Sequence, residues 1–232
     1  MQHRVCPWWL GYWLICPVRH YWQSPHKLLA SYVHESMTVL GPGPGMGYFT
    51  LELARLVGSS GRVVAVDVQP KMIDRLKRRA KKAGLLDRVD ARVASAESMG
   101  VSDLHNSVDF TLAFAMVHEF PEAGRFFAEV AAASRCGAQV LLAEPSGHVK
   151  AEAFDGELQA AAAAGFDSVE RPSIRRSHAA LLKKNLSPSA SVPNRGDRSS
   201  DPQPSARNAL SPRRRDLAFR ESARYRTRKP QE

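Results

Sequence analysis

Two kinds of apolar segment alternate along residues 37–184, and this alternation constrains the fold more than any other feature of the sequence. Residues 62–67 form a nearly continuous β-branched run, which is typical of a strand covered on both faces of a sheet. The next segment places Ile73, Leu76 and Ala80 three or four positions apart, as on one face of a helix. Strands that alternate with helices of about 10 to 15 residues indicate βαβ units and a doubly wound α/β sheet.

We expect a mostly parallel, doubly wound sheet, and the family resemblance described below implies a Rossmann-like sheet of seven strands with the last strand antiparallel. The ligand of such a sheet lies beyond the carboxyl ends of the strands, near the point where the strand order reverses. The residues that end each strand are therefore the functional candidates. The predicted strands are 37–40, 62–67, 89–93, 108–117, 138–143, 168–170 and 174–182, with helices at 47–57, from Pro70, from Pro121 and at 151–164.

A glycine-rich loop, residues 41–47, follows the first predicted strand with the sequence GPGPGMG. Glycine permits positive φ and a close approach of the backbone to a ligand. The helix that begins behind the loop offers free N–H groups and a positive dipole end, which favour a phosphate or a carboxylate. The spacing matches neither the dinucleotide motif G-x-G-x-x-G nor a P-loop. The loop therefore predicts a site for a small anionic group rather than for a pyrophosphate.

Asp67 ends the second predicted strand, 20 residues after Gly47. A carboxylate at this place can accept hydrogen bonds from ribose hydroxyls. The loop and the acid together indicate a nucleoside site with room for a small anion. S-adenosylmethionine, which combines an adenine, a ribose and an amino-acid carboxylate, fits this description.

Residues 37–182 resemble the class I S-adenosylmethionine-dependent methyltransferases of the broad small-molecule type, including uncharacterised bacterial and archaeal members. The resemblance implies S-adenosylmethionine as the methyl donor. The implied cofactor-binding residues are Gly43, Gly45, Met46 and Gly47 at the methionine end, Asp67 at the ribose, Val68 at the adenine ring and Glu97 near the adenine amine. Glu97 matches the family only weakly, and it is interpreted equally well as a solvated loop carboxylate.

Gly41 departs from the family pattern. The family commonly has Asp or Glu two residues before the first glycine of its motif, and that acid helps to orient the methionine ammonium or the loop. Its replacement by glycine predicts a weaker grip on the cofactor, partly offset by the stiffening effect of Pro42 and Pro44. A non-catalytic relative of the family is therefore one alternative.

The segment VHEFP, residues 117–121, resembles the family segment that borders the methyl-transfer site, and its His118 and Glu119 are the predicted catalytic residues. Methyl transfer chiefly needs alignment, and a base is required only if the acceptor must lose a proton. Histidine suits that role near neutral pH. The alternative is that His118 caps or packs at a strand end. Glu144 ends the fifth predicted strand and so also faces the ligand side, but we favour its interpretation as a residue that enters a helix before Pro145.

The two ends of the chain differ in composition from the middle. Residues 1–36 contain all four tryptophans and predict a segment that packs on the domain or covers the site as a lid, with a membrane-interface anchor as the third alternative. Residues 185–232 are rich in Ser, Pro and Arg and predict a disordered basic tail. That tail carries +6 of the formal net charge of +10, so residues 37–184, the predicted catalytic domain, are only mildly basic.

Taken together, the sequence predicts a cytoplasmic methyltransferase acting on a small, apolar or quinone-like acceptor. RNA or protein methylation, recruited through the basic tail, is the less favoured alternative, and the basic run at 71–82 is interpreted as a solvated helix face. Three cysteines without a CxxC pair predict neither a disulfide scaffold nor a cysteine-based zinc site. The uncharged, aromatic run at residues 5–18 is shorter than the roughly 20 residues that a transmembrane helix needs.

Overall fold

A computed structural model describes residues 24–95 and 97–185, and it shows a seven-stranded sheet between two layers of helices. The strands are β1 (Thr38–Pro42), β2 (Arg62–Asp67), β3 (Val89–Val93), β4 (Val108–Phe114), β5 (Ser134–Pro145), β6 (Phe166–Glu170) and β7 (Ser177–Lys184). The α-helices are α1 (Pro25–Leu29), α2 (Thr50–Leu56), α3 (Pro70–Lys82), α4 (Ala123–Ala133) and α5 (Ala151–Ala163), and single 3-10 turns occupy Leu86–Arg88, Ser102–Leu104 and Val117–Glu119.

The strand order is β3-β2-β1-β4-β5-β7-β6. Strands β1 to β5 pair in parallel, whereas β7 is antiparallel to both of its neighbours, β5 and β6. The predicted doubly wound sheet with an antiparallel last strand is therefore confirmed. The order reverses between β1 and β4, so the crevice for a ligand is expected at the carboxyl ends of these two strands.

The sheet is buried on both faces, because helices α1, α2 and α3 contribute to one apolar core and α4 and α5 to the other. Strand β2 shows this directly, since Val63 and Val64 point to opposite faces and both are fully buried. The predicted inner face of α3 is also buried, with Leu76 packed in the core beside β2. The continuous apolar runs of the sequence thus correspond to strands covered on both sides.

Strand β4 ends at Phe114, three residues earlier than predicted, because Ala115 adopts a positive φ of 55°. The amide of Ala115 still donates to the carbonyl of Ala143 at 2.7 Å, and the chain then turns into the short 3-10 helix. Strand β5 is longer than predicted at both ends and includes Pro145, which pairs with Ser177 of β7. We call residues 115–121, which follow β4, the acceptor turn.

Residues 1–23, 96 and 186–232 lie outside the described part of the chain, so the lid, packing and tail interpretations of those segments stay predictions. The described end of the first segment packs on the domain: Leu29 and Val33 are buried, and the ring of Tyr32 stacks on Phe110 with centroids 6.0 Å apart. Among residues 24–95 and 97–185, none of the helices has both the length and the apolar character required to cross a bilayer.

Candidate functional site

A cavity of about 290 Å³ opens at the carboxyl ends of β1, β2, β3 and β4. Its position is the one expected from the reversal of strand order. The walls come from the last residues of these strands and from the segments that follow them, and most of the wall is apolar. The lining residues are Pro42, Gly43 and Gly45 at and after the end of β1; Val66, Asp67, Val68, Gln69 and Met72 at and after the end of β2; Ala94, Ser95, Ser98 and Met99 after β3; and Ala115, Met116, Glu119, Phe120 and Pro121 after β4.

The glycine loop shapes one wall of the cavity because two of its glycines leave no room for a side chain. A β-carbon on Gly43 would lie 3.0 Å from Cβ of Met116 in the acceptor turn. A β-carbon on Gly47 would lie 2.5 Å from Cδ1 of Leu76 on α3. Both glycines have a positive φ, of 62° and 85°. The loop therefore packs closely against the acceptor turn on one side and against α3 on the other.

Met46 and Gly47 lie behind the cavity rather than on its wall. The Met46 side chain is buried, and its carbonyl accepts a hydrogen bond from the guanidinium of Arg79 on α3. Of the predicted glycine-motif residues, Gly43 and Gly45 therefore face the cavity, while Met46 and Gly47 support the loop from behind.

The environment of Gly41 is open. A β-carbon there would approach no atom more closely than the carbonyl oxygen of Val64, at 4.0 Å. A β-carbon would therefore fit at position 41, so crowding at that atom does not explain why the family's acid is missing here.

Asp67 ends β2 and lines the cavity next to the glycine loop. Its Oδ1 accepts the backbone N–H of Gln69 at 2.9 Å, and the amide of Gly45 also donates to this carboxylate. Burial raises the pKa of Asp67 from 3.8 to about 6, although the two amide hydrogen bonds oppose the shift, and Glu119 across the cavity raises it further. The loop and the predicted ribose-binding acid are therefore brought into direct contact.

Val68 and the segment after β3 form the far end of the cavity. Val68 is 40% exposed, which is high for a valine and leaves an apolar face open to a flat ring. Glu97 is exposed and is not among the described lining residues; its amide donates to Ser95 Oγ at 3.1 Å. Ser95, from the same segment as Glu97, and Ser98, which was not predicted, line the cavity there instead. The sequence feature that could have identified them is their position just after the end of β3.

Glu119, Phe120 and Pro121 of the acceptor turn line the open side of the cavity, whereas His118 of the same turn lies beside it. Nδ1 of His118 forms a hydrogen bond with Oε2 of Glu144, and the His118 side chain is 29% exposed.

Glu144 is fully buried, and its role differs from the interpretation given above. It does not enter a helix, because Pro145 continues the strand in pairing with Ser177. Instead, Glu144 Oε1 accepts the backbone N–H groups of Met116 at 3.1 Å and Val117 at 2.8 Å. The carboxylate thus holds the acceptor turn from below while binding His118.

The pKa values of His118 and Glu157 are both raised, but by different causes. The hydrogen bond to Glu144 raises the pKa of His118 above its ordinary value, against the effect of partial burial, and the charges of Glu119 and Glu157 raise it further. For Glu157, burial raises the pKa of its carboxyl to about 7. Two neighbouring side chains below this turn, His118 and Glu157, therefore both have a raised pKa.

Residues 39–137 match a family model described as a methyltransferase domain. Comparison with curated protein sequences gives no significant match. Among solved structures, a SAM-dependent methyltransferase from Aquifex aeolicus is 23% identical, with a TM-score of 0.69 over 77% of this chain and 98% of that chain. A SAM-dependent O-methyltransferase from Thermotoga maritima is 19% identical, with a TM-score of 0.51 over 69% of this chain and 64% of that chain.

A more distant structure is the arsenic(III) S-adenosylmethionine methyltransferase from Chlamydomonas reinhardtii, which is 16% identical over 67% of this chain and 65% of that chain, with a TM-score of 0.53. At these identities the likeness shows the fold. The strand order and the family match together define residues 39–137 as a methyltransferase domain of class I. The predicted methyltransferase domain and its fold are confirmed, and the SAM-dependent neighbours indicate S-adenosylmethionine as the methyl donor.

Proposed function

We propose that the protein transfers the methyl group of S-adenosylmethionine, bound in the cavity, to a small, apolar or quinone-like acceptor at the acceptor turn. The observation that carries this proposal is that Asp67 and Gly45 of the glycine loop line one cavity. A ribose-binding acid and a backbone able to receive an amino-acid carboxylate then lie next to each other. When bound, the cofactor supplies an electrophilic methyl group on a sulfonium, which becomes a neutral thioether on transfer.

The residues divide into three groups by what they would hold. The backbone of the loop from Gly43 to Gly47, including Gly45 and Met46, receives the methionine end, because its positive-φ glycines let the ligand approach the main chain. Asp67 accepts the ribose hydroxyls. Val68 offers its exposed apolar face to the adenine ring, and Glu97 stays a prediction for the adenine amine.

The acceptor is assigned to the side of the cavity formed by Glu119, Phe120 and Pro121. Phe120 and Pro121 present apolar surface, which suits an apolar or quinone-like molecule. We assign catalytic roles to His118 as the base and to Glu119 as the carboxylate beside the reacting groups, because both belong to the acceptor turn.

Calorimetric titration with S-adenosylmethionine tests the cofactor site. Asp67→Asn removes the charge at nearly constant shape and should weaken binding by about 10-fold to 100-fold, since a hydrogen bond to a charged group contributes about 1.5–3 kcal/mol. Asp74→Asn, an exposed acid on α3, is the matched control and should bind like the unmodified protein. Equal affinity of Asp67→Asn and the control would contradict the assignment.

A further inference from the structure

Three titratable side chains from three different elements meet below the acceptor turn. Glu144 comes from the end of β5, His118 from the 3-10 turn after β4, and Glu157 from the middle of α5. Both oxygens of Glu144 are engaged, Oε1 by two backbone amides and Oε2 by Nδ1 of His118. With Nδ1 bound to a buried carboxylate, the nitrogen left for any other partner is Nε2.

Glu157 is the unusual member of this group. It is 7% exposed, and within the described part of the chain its Oε2 has no hydrogen-bond partner. A buried polar atom without a partner costs about 1–3 kcal/mol. The charges of Glu144 and His118 act on it in opposite directions, Glu144 raising its pKa and His118 lowering it. Glu157 therefore responds directly to the protonation state of His118.

The fold alone does not require this arrangement. A glutamine at position 144 would offer the same carbonyl oxygen to the amides of Met116 and Val117, so anchoring of the turn does not explain a charge. Replacing buried charged groups by apolar residues is often neutral or stabilising, by about 1–4 kcal/mol. An ionised carboxylate at Glu144 becomes useful once His118 has to carry a proton, because only then is there a cation for it to balance.

We infer that Glu144 is a positioning residue that holds the proton of the neutral His118 ring on Nδ1 and so leaves Nε2 as the basic nitrogen, and that the acceptor is a molecule whose attacking atom is a hydroxyl oxygen. This inference rests on the proposed function and narrows its acceptor class. A carboxylate acceptor is already ionised at neutral pH, and a neutral amine attacks through a free electron pair before it loses a proton. A phenol-like hydroxyl, with a pKa of about 10, is the acceptor that needs a base.

Nε2 of His118 takes the hydroxyl proton while an electron pair on the acceptor oxygen forms the bond to the methyl carbon. The electron pair of the broken carbon–sulfur bond stays on sulfur. The resulting imidazolium donates from Nδ1 to Glu144, and the proton then leaves to water through the 29% of the side chain that is exposed.

The charged groups around His118 all favour its protonated form. Glu144 faces it from β5, Glu157 from α5 and Glu119 from its own turn, and all three raise its pKa. His178 of β7 lies opposite Glu144 in register and packs its ring on Phe154, with centroids 5.6 Å apart. A base surrounded in this way holds the abstracted proton until the product leaves.

Nuclear magnetic resonance of the imidazole nitrogens in the full chain tests the inference without a methyl acceptor. In the unmodified protein above the pKa of His118, the neutral ring should carry its proton on Nδ1, and His118→Gln assigns the signal. A proton on Nε2 instead would overturn the inference, and this measurement needs no variant to fold.

Glu144→Gln turns an acceptor towards Nδ1 into an amide donor. The His118 pKa should fall by about one unit or more, since a neighbouring opposite charge shifts a pKa by about 1–3 units. The neutral ring should then carry its proton on Nε2. Glu157→Gln should lower the His118 pKa by a smaller amount, while Glu152→Gln, an exposed acid on the same helix, should leave it unchanged. An unchanged His118 pKa in Glu144→Gln would refute the positioning role.

Calorimetric affinity for S-adenosylmethionine separates this inference from the proposed function. Glu144→Gln should bind the cofactor within about twofold of the unmodified protein, because Glu144 does not line the cavity. If Glu144→Gln binds the cofactor normally but leaves the His118 pKa unchanged, the inference alone is refuted. If the unmodified protein does not bind the cofactor, the proposed function is refuted. The acceptor class is tested with phenol and with anisole, its methyl ether, on the cofactor-loaded protein. Phenol should shift the His118 resonances and anisole should not; equal shifts would overturn the hydroxyl assignment.

Discussion

The carboxyl group of Asp67 accepts the backbone N–H of Gln69 at 2.9 Å, and burial still raises its pKa to about 6. The acid that is proposed to hold the ribose is therefore close to its midpoint at mildly acidic pH. Its two amide hydrogen bonds favour the ionised form but do not compensate for burial. Two predictions follow from this balance, one for binding and one for stability.

Affinity for S-adenosylmethionine should fall as the pH is lowered through 6, by about tenfold per pH unit once Asp67 is protonated. The protonated carboxyl loses the charge that strengthens its bonds to the ribose hydroxyls. Calorimetric titrations between pH 8 and pH 5 measure this slope. Asp67→Asn should bind weakly and with a flatter profile over the same range; a parallel decline in the variant would assign the pH dependence to another group.

Asp67 should also lower the free energy of unfolding of the protein when it is ionised. An acid whose pKa is higher in the folded than in the unfolded state binds its proton more tightly when folded, so stability falls as pH rises from about 4 to about 6. Asp67→Asn should therefore raise the free energy of unfolding at pH 8, by about 1–3 kcal/mol. Urea denaturation at pH 8 and pH 4 measures this difference, which should shrink at pH 4. A variant less stable than the unmodified protein at pH 8 would contradict the prediction.

The contact between the glycine loop and α3 predicts a large effect of Gly47→Ala. The new β-carbon would meet Leu76 at 2.5 Å on a backbone with φ of 85°, so overpacking and strain add. We expect a loss of about 2–5 kcal/mol in the free energy of unfolding. Gly84→Ala is the control, because its φ is 67° but no atom lies within 4 Å of its β-carbon. Thermal unfolding should show a clearly smaller loss for Gly84→Ala, and equal losses would exclude the packing contribution.

Arg79 supports the loop from behind through its bond to the Met46 carbonyl. Arg79→Met keeps most of the side-chain volume and removes the donor, so the loop should lose order and the cofactor should bind several-fold more weakly. Arg78→Met, at the exposed neighbouring position on α3, is the matched control. Calorimetric titration of both variants decides the matter, and equal affinities would show that the bond is dispensable.

The open space at Gly41 allows the family acid to be restored. Gly41→Asp should tighten S-adenosylmethionine binding if the missing carboxylate normally contacts the methionine ammonium, since the first side-chain atom meets nothing closer than 4.0 Å. Gly41→Asn has the same shape without the charge and should bind no better than the unmodified protein. Equal affinity of the Asp and Asn variants would show that the site does not use an acid at this position.

The sheet was predictable because its signals are local. Continuous apolar runs such as 62–67 identify strands covered on both faces, and the glycines and Asp67 follow strand ends directly. Of the predicted cofactor-binding residues, Gly43, Gly45, Asp67 and Val68 line the cavity. Met46, Gly47 and Glu97 do not, and the segment after β3 that contributes Ser98 is irregular and carries no motif.

The acceptor side was not predictable in the same way. The bond between His118 and Glu144 joins residues 26 positions apart, and it depends on the register of β4 against β5. Pro145 suggested the start of a helix, but it sits at the end of the pairing with β7, where Pro145 opposes Ser177 and Glu144 opposes His178. Glu157 lies in an alanine-rich helix whose sequence marks no clear inner face, so its burial gave no signal.

The close approach of Gly43 and Met116 has a consequence for how such a protein can diversify. The backbone that would grip the donor and the segment that would meet the recipient touch each other, so they form one continuous surface. A bulkier side chain at either position would therefore press the two segments apart. Relatives with different methyl acceptors would therefore vary at Phe120 and Pro121 and keep an unbranched side chain at position 116.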